Sequence, residues 1–235
     1  MYPVSLSIFF PCYNEAGNLE TLIRETIGAI TGLVQQYEIL IIDDGSSDKT
    51  GAIADGLCAA DEHLRVIHHE KNSGYGAALI SGFKNVRYDW VFFADGDNQF
   101  DIREIELLLK HTTDYDAIIG YRKKRSDPPH RILFATLWKF LVYLVLGFRV
   151  RDLDCAFKLI RREFIKKIEL TSKGAVISAE LLLNLHRAGA RFKEVGVTHR
   201  PRRFGTQTGG NPFVIFKAFR ELLRLYKHYN SAGKK

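Results

Sequence analysis

DWVFFADGDNQFD, residues 89–101, runs from an unbroken apolar stretch straight into three aspartates, Asp95, Asp97 and Asp101, with Gln99 among them. An apolar run without alternation is the pattern of a strand buried on both faces, as in a parallel sheet. The carboxylates at its end repel one another, and spacing i, i+2 in a loop lets Asp95 and Asp97 turn toward one point. A divalent cation would offset that repulsion. Mg²⁺ and Mn²⁺ favour oxygen ligands, and Mg²⁺ typically takes one or two protein carboxylates, leaving other positions for substrate phosphate. A DxD taken alone is also a common solvated turn, so the rest of the chain has to decide.

Four further strand patterns lie at 4–10 (VSLSIFF), 37–42 (YEILII), 65–69 (RVIHH) and 116–121 (DAIIGY). Helical patterns separate them. Asn18 is placed to cap a helix carrying Leu22, Ile23, Ile27 and Ile30, Asp48 to cap 50–60, and Asp101 to cap 102–111. This alternation predicts an α/β fold: right-handed crossovers and a mostly parallel twisted sheet with helices on both faces. Ligands of such sheets sit at the carboxyl ends of the strands. There the chain places PCYNE (11–15), DDGSSDKT (43–50), KNSGYGAA (71–78) and DGDNQ (95–99). Asp43 and Asp44 before Gly45 also suit an ordinary tight turn. GYG at 74–76 is neither a dinucleotide fingerprint nor a phosphate loop, and reads as glycines that let a helix start pack close to a ligand.

Composition narrows the classes. A chain of 235 residues with 46% hydrophobic content can bury one sizeable core. The three cysteines, Cys12, Cys58 and Cys155, are scattered and odd in number, which excludes a disulfide framework and a zinc site and suits a reducing compartment. The first ten residues lack the basic n-region of a signal peptide and read as a strand, so the expected location is cytoplasmic. Residues 1–120 hold 8 Lys+Arg against 19 Asp+Glu; residues 121–235 hold 26 against 8. One half then suits a metal or cation-bound ligand, and the other an anionic partner. No nucleic-acid-binding motif accompanies the basic half. A nucleotidyltransferase would carry a different glycine-rich loop where this chain has PCYNE.

The basic half concentrates arginines, whose forks match phosphate oxygens. GYRKKRSDPPHR holds Arg122, Lys123, Lys124, Arg125 and Arg131, and HRPRRFGTQTGG holds Arg200, Arg202 and Arg203. Residues 132–148 form a 17-residue apolar run with one charge, Lys139, short of a membrane span and suited to an interfacial or buried helix. Residues 211–229 put Lys217, Arg220, Arg224 and Lys227 on one helical stripe beside Ile215, Phe219, Leu222 and Tyr226. That pattern predicts a basic C-terminal amphipathic helix lying on an anionic membrane surface, the alternative being a helix docked on its own domain. The expected division is a domain over 1–208, with a nucleotide half at 1–120 and an acceptor half at 121–208, and the basic helix and tail over 209–235.

In this order, PCYNE, IIDDGSSDKT, KNSGYGAALISG and FFADGDNQ resemble the family 2 glycosyltransferases of the GT-A fold, most closely the polyprenyl-phosphate (dolichyl-phosphate) mannose synthases. The resemblance spans roughly residues 3–210. It implies an inverting transfer of a hexosyl group from a nucleotide-diphosphate sugar to a polyprenyl phosphate, by an enzyme attached peripherally to the cytoplasmic membrane face. It also implies that Pro11, Tyr13, Glu15, Asp43 and Asp44 contact the nucleotide sugar. Asp95, Asp97 and Gln99 would form the site for Mg²⁺ or Mn²⁺ and diphosphate, Arg202 would hold the donor diphosphate, and Arg122 and Arg131 the acceptor phosphate. Thr208 and Gly209 replace the serine–lysine usual in the mannose synthases, and DGDNQFD lacks their proline pair, so the resemblance specifies the transferase and leaves the sugar open. Residues 150–163 resemble the segment that closes over the sugar, with Asp152 and Asp154 available for hydroxyls. A hydroxyl acceptor would instead require a base, for which Glu180 in VISAELLLNLHRAG is placed; Glu180 is equally suited to a buried structural partner for an arginine.

Overall fold

Strand β1 (Tyr2–Cys12) is buried without interruption from Leu6 to Cys12, which is why its sequence shows no alternation. The computed structural model describes residues 1–123, 149–174, 176–202 and positions 136, 140, 142, 143, 147, 204, 221, 222 and 225. Around β1 stand β2 (Val34–Asp43), β3 (Leu64–His68), β4 (Trp90–Ala94), β5 (Ala117–Arg122), β6 (Phe157–Arg161) and β7 (Phe192–Val197), in the order β3-β2-β1-β4-β6-β5-β7. All pairings are parallel except those of β6, which lies antiparallel between β4 and β5. The mostly parallel α/β sheet expected from the sequence is therefore present.

The connecting helices are α1 (Leu19–Ile30), α2 (Thr50–Ala60), α3 (Tyr75–Asn85), α4 (Ile105–Leu109), α5 (Arg162–Lys166) and α6 (Ile177–Arg187). Helix α1 buries Leu19, Leu22, Ile23, Thr26 and Ile30, an apolar stripe at helical spacing. Phe9 stacks on Phe93 at 5.4 Å, and Phe83 of α3 meets both edge-on at 5.1 and 5.4 Å. Gly82 makes this possible, since a Cβ there would lie 2.4 Å from the Phe9 ring.

Several local expectations change. Asn18 stands at the start of α1 but does not cap it; its amide donates to Glu15 Oε2 at 2.6 Å. Asp48 does accept from Thr50 N, at 2.9 Å. The helix expected over 102–111 is a 3₁₀ turn (Ile102–Glu104) followed by α4, with Asp101 accepting from Arg103 N. Within the segment expected to close over the sugar, residues 157–161 form β6. Gly74 and Gly76 serve the chain's own backbone, because added Cβ atoms would meet Lys173 O at 2.8 Å and Ser172 O at 2.3 Å. Gly76 N donates to Lys173 O at 3.0 Å, so the loop after α5 seals the start of α3.

Arg131 lies outside the described residues, as do the segments 132–148 and 211–229 apart from isolated positions. Leu222, expected on a membrane-facing stripe, is buried with Leu225 among Val176, Ala179 and Leu182. At that point the segment packs on its own domain. Among the described residues no helix is long and apolar enough to cross a membrane.

Candidate active site

The loops after β1 and β2 are laced together by side chains acting on backbone. Asn14, with φ 56°, accepts from Ser47 N at 2.8 Å and Asp48 N at 3.3 Å, and Glu15 N donates to Thr50 Oγ1 at 2.8 Å. Asparagine tolerates this left-handed conformation better than most residues. Pro11 is buried at the end of β1 opposite Ile42, while the Tyr13 ring is 43% exposed at the mouth. Asp43 accepts from Ser46 N at 3.0 Å and pairs with His68 Nδ1 at 2.8 Å. Burial pushes its carboxyl up, but the Ser46 and His68 hydrogen bonds outweigh this and hold it below its ordinary value. Asp44 is engaged through both oxygens: Oδ1 faces His69 Nδ1 at 2.6 Å and Ser73 N at 2.9 Å, and Oδ2 accepts from Gly74 N at 2.9 Å. Its carboxylate thus ties the loop of residues 69–74 to the end of β2. His68 and His69 thus both pair with strand-end aspartates.

The DGDNQ turn folds back on β1. Gly96 permits this, since a Cβ there would stand 2.6 Å from Cys12 Sγ and 2.9 Å from Pro11 O. Asn98, at φ 57°, reverses the chain so that Gln99 N donates to Asp97 Oδ1 at 3.1 Å. The two aspartates face different partners. Asp95 accepts from the Tyr75 hydroxyl, with Lys158 and Arg122 within electrostatic reach. Asp97 Oδ2 accepts from Arg202 Nη1 at 3.3 Å, and Arg202 Nη2 donates to Glu15 Oε1. Gln99 Nε2 donates to Arg200 O at 2.8 Å and Arg200 N to Gln99 O at 2.7 Å, pinning the Arg200–Arg202 stretch against the aspartates. Of the residues expected at the donor side, Glu15, Asp97 and Arg202 are in direct contact. Arg122 stands apart, gripping Asp152 with two hydrogen bonds of 2.7 Å.

Burial first, then repulsion from Asp97, raises the Asp95 carboxyl to about 7. Burial likewise raises Asp97, against the pull of Gln99 N and Arg202. Two crowded carboxylates that resist ionisation are a donor set a divalent cation would relieve. The Arg202 guanidinium already occupies part of that role. The carboxylates of Asp95 and Asp97 and the amide oxygen of Gln99 are the hard oxygen donors that would suit a Mg²⁺ or Mn²⁺. Among the described residues no three His, Cys, Asp or Glu side chains gather into a cage.

A stability signature follows from Asp95. A carboxyl raised in the folded state binds its proton more tightly there than in the unfolded chain, at about 3.9. Its contribution is present in full below that value and is lost as pH rises toward about 7. Ligand-free protein compared with Asp95→Asn in melts from pH 4 to 8 is expected to lose its relative advantage across that window. Parallel curves would show that Asp95 is not strained.

The glycosyl transferase family 2 model matches residues 7–169, more than half of the chain. The chain belongs to glycosyl transferase family 2. It is 30% identical over 209 residues to glycosyltransferase AglD of Haloferax volcanii, covering 85% of this chain. The match spans about a third (34%) of that relative's length. Among solved structures, glucosyl-3-phosphoglycerate synthase of Mycobacterium tuberculosis with Mn²⁺, UDP-glucose and phosphoglyceric acid superposes with a TM-score of 0.72 at 19% identity, over 95% of this chain and 80% of the other. The same enzyme with Mg²⁺ and UDP gives a TM-score of 0.64 at 20% identity, over 86% and 73%. At these identities the likeness shows the GT-A-like fold of this family 2 glycosyltransferase.

Glu180 departs from one of its expected roles. Only 1% exposed, it accepts from Thr171 N at 3.0 Å, Thr171 Oγ1 at 2.7 Å and Ser172 N at 2.8 Å. It is a buried structural partner, of loop amides rather than an arginine. That loop is the one sealing the start of α3.

Proposed function

We propose that this family 2 enzyme moves a hexosyl group, with inversion, from a nucleotide-diphosphate sugar to a polyprenyl phosphate, in the manner of the polyprenyl-phosphate mannose synthases its motifs resemble. The observation that carries the choice of acceptor is Glu180. Its carboxylate is saturated by Thr171 and Ser172, whereas a hydroxyl acceptor needs a group able to take a proton. A phosphate oxygen is already anionic and needs none.

In this reading Tyr13 offers its exposed ring to the base, and Asp43, Asp44 and Glu15 shape the nucleoside pocket from the ends of β2 and β1. Asp95, Asp97 and Gln99 would hold a divalent cation, which would supply the charge that neutralises the departing diphosphate. Arg202 turns its guanidinium from Glu15 and Asp97 toward the diphosphate as the donor enters. The acceptor oxygen approaches the anomeric carbon opposite the leaving group; the new C–O bond forms as the old one breaks, and its electron pair leaves on the diphosphate. Arg122 and Arg131 hold the acceptor phosphate, Arg122 exchanging part of its grip on Asp152. Positioning and charge stabilisation then carry the catalysis. The acceptor implies peripheral attachment at the cytoplasmic membrane face, with the acceptor half (121–208) and the tail (209–235) turned toward the lipid.

The test is direct. Purified protein with Mn²⁺ or Mg²⁺, labelled nucleotide sugars and polyprenyl phosphate in detergent is expected to yield an organic-extractable lipid-linked sugar. A panel of hydroxyl acceptors is expected to give none. Labelling of hydroxyl acceptors with no lipid-linked product would reverse the assignment.

A further inference from the structure

Lys158, the second residue of β6, is wholly buried, at 0% exposure. Lysine is almost never fully buried unless paired, and burial lowers its affinity for a proton. A methionine of similar length would fill the slot without that penalty, so the ammonium needs a reason. In register Lys158 stands between Phe93 of β4 and Ile119 of β5. Its Nζ donates to Cys155 O and, at 3.4 Å, to Leu153 O, and lies 5.6 Å from the Phe93 ring centre.

These contacts tie down the turn entering β6. That turn carries Asp152, locked onto Arg122, and Asp154. The same ammonium interacts electrostatically with Asp152, Asp154 and Asp95. Asp95 follows Ala94, the last residue of β4, whose partner across the ladder is Phe157. Lys158 therefore approaches the aspartates from the β6 side, while the Tyr75 hydroxyl holds Asp95 from α3.

We propose that Lys158 is a positioning residue of the donor site: its buried ammonium fixes the 153–155 turn and supplies a positive charge that lets Asp95 stand beside Asp97. The proposal rests on the reading of Asp95 and Asp97 as cation ligands. Lys158 does not touch the sugar nucleotide; it acts through Asp95 and through the turn.

A double-mutant cycle separates charge from scaffolding. Mn²⁺ affinity is measured on full-length protein by electron paramagnetic resonance, with GDP and, in a parallel series, UDP. Lys158→Met is expected to weaken Mn²⁺ binding about tenfold or more, the scale found when groups supporting a metal ligand are removed. In an Asp95→Asn background the same substitution is expected to change it less than about twofold, because the carboxylate it serves is gone. Lys158→Arg, which keeps the charge, is expected to restore most of the affinity. Should Lys158→Met fail to fold, Lys158→Gln runs the same cycle, retaining amide donors for the two carbonyls. Equal losses in both backgrounds, or no loss in either, would overturn the proposal while leaving the donor site standing. If Asp95→Asn and Asp97→Asn themselves leave Mn²⁺ affinity unchanged, the donor-site reading falls and the proposal with it.

Discussion

Asp97→Asn is expected to melt at a higher temperature than the unsubstituted protein in the absence of ligands, while transferring sugar at least about a thousandfold more slowly. Both effects have one cause. Burial disfavours the Asp97 charge, so asparagine, which keeps an oxygen for Gln99 N, relieves the folded state. In the proposed mechanism the same charge holds the cation that neutralises the diphosphate. Removing a single fixed group that stabilises developing charge typically costs about 10²–10³ in turnover, and loss of a metal's contribution adds several kcal/mol. Calorimetry and a transfer assay on one preparation decide the matter. An asparagine variant with near-normal turnover would remove Asp97 from the metal site.

Arg202→Ala is expected to act in the opposite sense on stability. Its side chain is 16% exposed and is shared by Glu15 and Asp97, with Nε donating to Phe204 O at 2.6 Å. Losing charge-assisted hydrogen bonds of this kind costs about 1.5–3 kcal/mol, and leaves two carboxylates facing each other uncompensated. Denaturant unfolding should show that loss, and turnover should fall by about 10²–10³ as the diphosphate loses its guanidinium. Adding Asp97→Asn to Arg202→Ala is expected to recover part of the stability, because Glu15 keeps its hydrogen bond from Asn18. Turnover stays low in the double variant. A lysine at 202 keeps the charge but not the fork and should fall between. Unchanged stability in Arg202→Ala would mean the guanidinium is not the counter-charge of the aspartate site.

The strands and the polar clusters at their ends are legible in the sequence. Buried parallel strands advertise themselves as unbroken apolar runs, and the acids of PCYNE, DDGSSDKT and DGDNQ sit where such strands must end. Strands β1 to β5 accordingly fall where expected, with ends displaced by at most three residues. Strand β6 was not legible. Its sequence FKLIR places a charged residue in a position that turns out to be wholly buried, and its antiparallel direction depends on the route the chain takes to reach it. Glu180 was recognised as anomalous among apolar residues, but its partners are the backbone amides and a hydroxyl of residues 171–172, and amides leave no signature in sequence. The pairing of His68 with Asp43 follows from the β2–β3 register, which sets those residues side by side. The bidentate lock of Arg122 on Asp152, 30 residues onward, becomes visible only once β6 has brought the two loops together.

The insertion of β6 also governs the order in which a nascent chain can finish this sheet. As synthesis proceeds, β1 to β4 can pair among themselves, but the outer edge of β4 waits for residues 157–161, and β5 has no neighbour until β6 and β7 arrive. During that interval Val91, Phe92 and Phe93 border an unpaired strand edge, the kind of surface that captures other chains. A fragment stopped after residue 123 would keep that edge permanently open, so the change of charge near residue 120 is a poor place to divide the protein. Lys158 arrives on the strand that closes the gap, and the aspartate site and the sheet are therefore completed in the same step of folding.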